Sequence, residues 1–305
     1  MKILLLGAKG QLGVELSKVL PQLGELILIS RNELDLSNIN VLEQKLNAIA
    51  PDLIVNASAY TNVDMAEKEK DLAKLINASI PGLLAKFSAQ NNSILVHYST
   101  DYVFDGTKEI PYFEIDNPNP LSVYGTTKLL GEELIFKSGC RNLILRTSWL
   151  FSSHGQNFLT TILNLGFERN TLKVVNDQFG TPTSCEWLAS TTIELLTYCL
   201  TNERKSKSLH WGLYHATHNG FVNWYEYAKL ILEKAKGLHI SELKPATILP
   251  ISTFEYKQEA IRPFKSILNS QKIENLLNYK RDNWSIFVAK EIKKHSITLP
   301  IKETK

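Results

Sequence analysis

A doubly wound parallel α/β sheet carrying a smaller interleaved lobe is the fold class this sequence predicts. Three observations predict it. Short apolar runs alternate with amphipathic stretches through the first half, several of those runs are apolar at every position, and a glycine-rich turn joins the first run to the first amphipathic stretch. The runs Lys2–Leu6, Glu25–Ile29, Leu53–Asn56, Ser93–His97 and Asn142–Leu145 have the length of strands. Continuous apolarity suits a strand covered on both faces, as in a parallel sheet. The helical period recurs between them, over Gln11–Leu20, Val41–Ile49, Asp71–Gln90 and Leu129–Lys137. Strand–helix alternation at this spacing builds βαβ units.

Beyond Trp149 the pattern is less regular. Phe158–Phe167, Glu186–Leu200 and Trp224–Ala235 read as helices, Leu172–Val175 and Leu213–Ala216 as short strands, and Pro245–Pro263 as mostly loop. Two closing helices are expected, Ser270–Leu277 capped by Ser270 and Asp282–Lys294 capped by Asp282. No flexible linker separates the halves, so the second lobe should interleave with the first.

Composition removes several classes of function. A net charge of +3 over 305 residues is no polyanion footprint. The basic places, Arg204-Lys205-Ser206-Lys207 and Lys293-Lys294, lack interleaved aromatic residues and read as solvated surface, so no nucleic-acid partner is expected. The opening Met1–Leu6 run stops at Gly7, too short for a signal peptide, and no stretch has bilayer-spanning length. Cys140, Cys185 and Cys199 form neither a paired framework nor a metal motif. A cytoplasmic protein with reduced thiols, no membrane partner and no metal is the expectation.

Gly7-Ala8-Lys9-Gly10-Gln11-Leu12-Gly13 lies directly between the first strand and the first helix. Glycine permits a tight turn and close approach of backbone N–H groups to a pyrophosphate, and the helix N-terminus adds partial positive charge. Such a turn makes the fold a Rossmann type and calls for a dinucleotide. The spacing is neither the G-x-G-x-x-G of long-chain dehydrogenases nor a Walker A loop. At the end of the second strand stands Ser30-Arg31. A small residue followed by a guanidinium suits the 2′-phosphate of NADPH, with NADH possible; Arg31 reads equally as a solvated loop charge.

Tyr124 and Lys128 are four apart at the start of a helix, on one face. A phenol has a reference pKa of about 10, and an adjacent ammonium favours its ionised form, so the pair can do acid–base work. Ser99-Thr100-Asp101 follows the fourth strand, where open α/β sheets bind ligands. Thr100 would hydrogen-bond a substrate carbonyl and Asp101 a hydroxyl; Ser99 reads equally as a turn cap. Asn56-Ala57-Ser58-Ala59-Tyr60, after the third strand, is a small-residue turn suited to a cofactor.

Taken together, Gly7/Gly10/Gly13, Asn56-Ala57, Ser99-Thr100-Asp101 and Tyr124-x-x-x-Lys128 resemble the extended short-chain dehydrogenase/reductase family. Within it the chain is similar to the dTDP-4-dehydrorhamnose reductases. That likeness rests on Leu34-Asp35-Leu36, Ser58-Ala59-Tyr60-Thr61-x-Val63-Asp64-x-Ala66-Glu67 and Ser99–Phe104-x-Gly106. It extends through Asn119-Pro120-Leu121-x-Val123-Tyr124-Gly125, Arg146-Thr147-Ser148-Trp149, Asp177-Gln178-x-Gly180, Gly212-x-Tyr214-His215 and Arg262-Pro263-x-x-Ser266. The resemblance implies NAD(P)H-dependent reduction of the 4-keto group of a nucleotide sugar, dTDP-4-dehydro-L-rhamnose. By position, the backbone of Gly10, Gln11 and Leu12 would hold the pyrophosphate, and Asp35 and Leu36 would flank the adenine. Ala57, Ser58 and Ala59 would line the cofactor cleft, while Thr100, Asp101 and Trp149 would contact the sugar. Tyr124 would give the proton, assisted by Lys128 and Thr100. Core packing is the competing, less favoured reading of Trp149. Residues 1–150 would form the dinucleotide-binding domain, with returning segments over about 170–216. The substrate-binding lobe would come mainly from about 151–169 and 217–305. Some relatives are dimers bridged by metal through glutamates, so a homodimer stays possible. Another nucleotide-sugar reductase, epimerase or dehydratase, or a non-catalytic NADP-binding regulatory subunit, are the competing readings.

Overall fold

A computed structural model describes residues 1–30, 32–206, 210–238, 244 and 247–298. Arg31, Lys207 and Pro245 lie outside the described residues, as do the side chains of 204–206. Along the chain, β1 (Lys2–Leu6) leads to α1 (Gln11–Val19), β2 (Glu25–Ile29) to α2 (Ile39–Ile49), and β3 (Leu53–Asn56) to three pieces, α3 (Val63–Ala66), α4 (Lys70–Lys74) and α5 (Ile80–Gln90). Then β4 (Ile94–Thr100) precedes α6 (Val123–Ser138), and β5 (Arg141–Thr147) precedes β6 (Leu150–Phe151) and α7 (Phe158–Glu168). The remainder comprises β7 (Thr171–Val175), β8 (Phe179–Gly180), β9 (Thr183–Ser184), α8 (Cys185–Ser206), β10 (Gly212–His215), β11 (Val222–Asn223), α9 (Trp224–Gly237), β12 (Thr247–Ile251), α10 (Gln271–Leu277) and α11 (Ser285–Thr298).

Six parallel strands form the central sheet in the order β2-β1-β3-β4-β5-β10. Its two faces explain the apolar runs. Ile3, Leu5, Leu53, Val55 and Val96 pack with Leu12 and Leu16 of α1 and Leu188 and Leu195 of α8. Leu4, Leu6, Ile54 and Leu95 pack on the other face with Leu42 and Leu46 of α2, Leu84 of α5 and Ile135 of α6. Each such buried Leu or Ile contributes roughly 1.5–3 kcal/mol. The sheet is thus doubly wound, as expected. Strand order reverses between β1 and β3, and the carboxyl ends of parallel strands flank a ligand crevice at such a point.

A smaller core joins Phe151, Leu159 and Leu163 with Leu172, Tyr227, Ile231, Trp284 and Val288. Within 170–216, β7 pairs with β12 beside this core, whereas β10 joins the central sheet next to β5.

Four local expectations need correction. The stretch 71–90 is not one helix: Leu75–Ser79 forms a π turn between α4 and α5. Pro81 stands at the start of α5 and has no N–H to continue the ladder. The supposed loop 245–263 contains β12, which among the described residues pairs with β7 alone and so tolerates Pro250. Asp282 does not cap α11; Asn283 Oδ1 accepts from Ser285 N at 3.0 Å, while the Asp282 carbonyl takes Asn219 N. Ser270 sits at the N-cap of α10 without a side-chain cap bond, its Oγ accepting instead from Thr217 N.

Candidate active site

Gly7 has φ +80°, and a Cβ there would lie 2.8 Å from the Ala57 carbonyl and Ser58 nitrogen. A Cβ on Gly13 would lie 2.1 Å from Gly7 O. Gly7 therefore lets the turn after β1 sit directly on the turn after β3, and Gly13 lets the first turn of α1 close on the turn after β1. Gly10 is the N-cap of α1 and gives no side-chain cap, which leaves the first N–H groups of Gln11, Leu12 and Gly13 facing outward. A cradle without side chains, at an uncapped helix N-terminus, fits the pyrophosphate of a dinucleotide. The Gln11 side chain turns away from it, its Oε1 accepting from Asn157 Nδ2 at 2.9 Å and its Nε2 donating to Gln156 O at 3.2 Å.

The turn after β3 is held from beneath. Asn56 Oδ1 accepts from Ser58 N and Ser58 Oγ at 3.2 and 2.5 Å. Asn77, carried by the π turn, accepts from Tyr60 N at 2.8 Å and donates to Tyr60 O at 3.1 Å. Ala57, Ser58 and Ala59 stay half-buried, facing the cleft.

Ser122 caps α6 by accepting from Gly125 N at 3.2 Å, so the helix begins at Val123, six residues before the expected start. Tyr124 and Lys128 thereby fall on successive turns, beside the end of β4. Tyr124 is half-buried, and burial pushes its phenol up to about 12, against the influence of the neighbouring Thr100 hydroxyl. A phenol in that state is a proton donor. Lys128 is buried; its Nζ donates to Tyr98 O at 2.5 Å and meets His97 Nε2 at 3.2 Å. Desolvation lowers Lys128 to about 8, opposed by the charge of Glu132. Glu132 itself is spent on Arg146, with Nη2–Oε2 at 2.6 Å.

Asp101 is buried and engaged at both oxygens, by Ser266 Oγ and by Thr100 Oγ1 at 3.2 Å. Burial raises its carboxyl to about 7, against those hydrogen bonds. The structure thus sets Asp101 behind Thr100. Trp149 is half-buried with φ +44°, and its indole stacks on Trp224 at 3.3 Å between ring centroids, over Gly180, where a Cβ would come within 2.5 Å of the ring.

At the end of β2, Ser30 N and Oγ both donate to Glu33 Oε2, at 2.8 and 2.7 Å. Those bonds hold the Glu33 carboxyl below its usual range. Sequence reading passed over this carboxylate because it lies four residues beyond the strand. Asp35 is exposed and accepts from Ser37 N at 2.9 Å, with Leu36 half-buried beside it. His97, Asn77, Glu132 and Arg146 were also missed as site residues; a His in an apolar strand and an Arg–Glu pair fourteen residues apart were the available signals. Among the described residues no group of three or more His, Cys, Asp or Glu could hold a metal ion, and no helix is long and apolar enough to cross a membrane.

The profile of the RmlD substrate binding domain matches residues 1–297. This chain belongs to that family. A dTDP-4-dehydrorhamnose reductase of Burkholderia thailandensis is 39% identical over 290 residues, 95% of this chain and 97% of that protein. The crystal structure of a dTDP-4-dehydrorhamnose reductase from Clostridium acetobutylicum superposes with a TM-score of 0.87 at 34% identity, covering 97% of this chain and 100% of that one. The enzyme of that name from Bacillus anthracis, solved in complex with NADP, gives a TM-score of 0.86 at 34% identity, covering 96% and 100%. The RmlD-type chain described here is accordingly a Rossmann-type oxidoreductase that uses a reduced nicotinamide.

Proposed function

We propose that this protein reduces the 4-keto group of dTDP-4-dehydro-L-rhamnose, giving dTDP-L-rhamnose, with NADPH preferred and NADH accepted. The observation that carries this reading is the placement of Tyr124 on the first turn of α6, beside Thr100 at the carboxyl edge of the sheet, with Lys128 buried one helical turn behind it. Bound at the glycine turn, a reduced nicotinamide supplies the hydride that adds to C4. Tyr124 gives its phenolic proton to O4, so the carbonyl becomes an alcohol and the phenol a phenolate. Thr100, beside the phenol, turns its one hydroxyl proton from Asp101 to the substrate oxygen and so aligns that oxygen with Tyr124; such alignment lowers the barrier before any bond breaks. Until then Asp101, fixed by Ser266, holds the Thr100 hydroxyl in place. Gly10, Gln11 and Leu12 offer backbone N–H groups to the pyrophosphate, and Trp149 flanks the sugar. The lobe built from 151–169 and 217–305 receives the nucleotide end. Buried, unpaired Cys140, Cys185 and Cys199 suit a reducing, cytoplasmic setting.

A label tests the transfer. With NADPH deuterated at nicotinamide C4, deuterium should arrive at C4 of the rhamnosyl product. Label elsewhere on the sugar, or none, would move the chemistry to another carbon.

A further inference from the structure

Beneath the site runs a buried polar chain, Asn56–His97–Lys128, that the mechanism above does not use. Its hydrogen-bond directions can be assigned. A backbone N–H can only donate, so the Asn56 atom that meets Ser58 N is the amide oxygen. The Asn56 amino group therefore faces His97 Nδ1, at 3.2 Å. An amino group also only donates, so Nδ1 is the bare nitrogen and the ring proton is on Nε2. That Nε2–H points at Lys128 Nζ, 3.2 Å away. His97 is wholly buried, so no solvent adjusts the arrangement.

An ammonium cannot accept this hydrogen; a free amine can. Lys128 has Tyr98 O as an acceptor, but its nearest carboxylate, Glu132, is committed to Arg146 through Nε and Nη2. We propose that His97 is a positioning residue for the reaction: fixed as the Nε2–H tautomer, it favours the free amine of Lys128 over the ammonium, so the ammonium, when formed, gives up its proton readily. This rests on the reductase reading. When Tyr124 has given its proton to the substrate, an Nζ–H bond of Lys128 breaks and the phenolate O–H re-forms; the amine left behind accepts from His97 and is recharged from solvent. The charge that acts on Lys128 from its own helix is Glu132, with Tyr124 one turn before it; Glu132 pairs with Arg146 on β5, Asp101 and Tyr102 follow β4, and the Glu67 carboxylate accepts from Val123 N at the start of α6. Burial already lowers the lysine and drives His97 toward neutrality, in the same sense.

Two measurements decide it. In protein labelled with ¹⁵N-histidine and free of ligands, at pH 9, the signals lost on His97→Gln should be those of an Nε2-protonated ring. An Nδ1-protonated ring or an imidazolium there overturns the proposal. If the glutamine variant does not fold, His97→Asn or sequential assignment identifies the same signals. In turnover, kcat/KM should fall as pH rises through about 8 in the wild type. A glutamine can turn its oxygen to the ammonium, so in His97→Gln that fall should move up by about one pH unit. An unmoved limb also overturns the proposal. Absence of sugar-nucleotide reduction at every pH would instead sink the reductase reading, and the tautomer would still be read from the unliganded protein.

Discussion

Arg262 reaches across 198 residues of chain to pair with Asp64, Nη2 to Oδ2 at 2.8 Å, while the same carboxylate accepts from Glu259 N and Ala260 N. The contact fastens the segment that carries Ser266 to the helix α3 beside the site, and Ser266 in turn holds Asp101. Arg262→Ala should therefore act on the sugar. The pair is partly exposed, so its loss should cost only about 1 kcal/mol of stability. KM for the sugar nucleotide should rise several-fold with cofactor affinity intact. Equal weakening of cofactor and sugar would show that the segment supports the whole cleft.

Tyr124→Phe keeps the ring and its edge-on contact with Tyr102, 5.9 Å between centroids, and deletes only the proton. Turnover should drop by ~10²–10⁴-fold, the usual contribution of a general acid. NADPH binding, followed by fluorescence, should survive. Turnover near wild type would remove Tyr124 from the reaction.

Trp149 carries an expectation the structure modifies. From the sequence, removal of a purely substrate-facing indole would leave the melting temperature unchanged. With one face stacked on Trp224, Trp149→Ala should cost about 1–3 kcal/mol, below the ~3–5 of a fully buried Trp. It should also raise KM for the sugar nucleotide. A lower melting temperature with unaltered kinetics per folded molecule would make Trp149 a packing residue only.

Cofactor choice turns on the end of β2. Ser30 is tied to Glu33, so a carboxylate stands near the place where an adenosine 2′-phosphate would approach. For NADPH to be preferred, Arg31 must outweigh it. Arg31→Ala should weaken NADPH by ~1–3 kcal/mol and leave NADH alone. Titrations in which both cofactors lose equally would show that Arg31 does not read the phosphate.

The strands and the cofactor turn were legible because each is written locally: apolar runs such as Leu53–Asn56 need only their own residues, and Gly7 and Gly13 mark a close approach wherever they occur. That Tyr124 and Lys128 open a helix was legible too, but Tyr124 and Gly125 are poor helix formers, so the periodic stretch was read only from Leu129 and the cap at Ser122 went unnoticed. Residues set by distant partners were not legible. His97 reads as one polar residue inside an apolar strand, and only the packing of α6 against β4 gives it Lys128. Asp64 and Arg262, or Asp101 and Ser266, stand in separate motifs whose pairing is a property of the fold. β12 was hidden by Pro250, which an edge strand accepts.

Keto reduction by this chain can be followed in a single assay. Purified protein should be mixed with NADPH and dTDP-4-dehydro-L-rhamnose, supplied directly or from its precursor with an epimerase, and absorbance followed at the reduced-nicotinamide band. One NADPH should be consumed for each dTDP-L-rhamnose formed, and almost none by the Tyr124→Phe variant. Steady NADPH absorbance with intact protein, cofactor bound and substrate present would contradict the reductase reading.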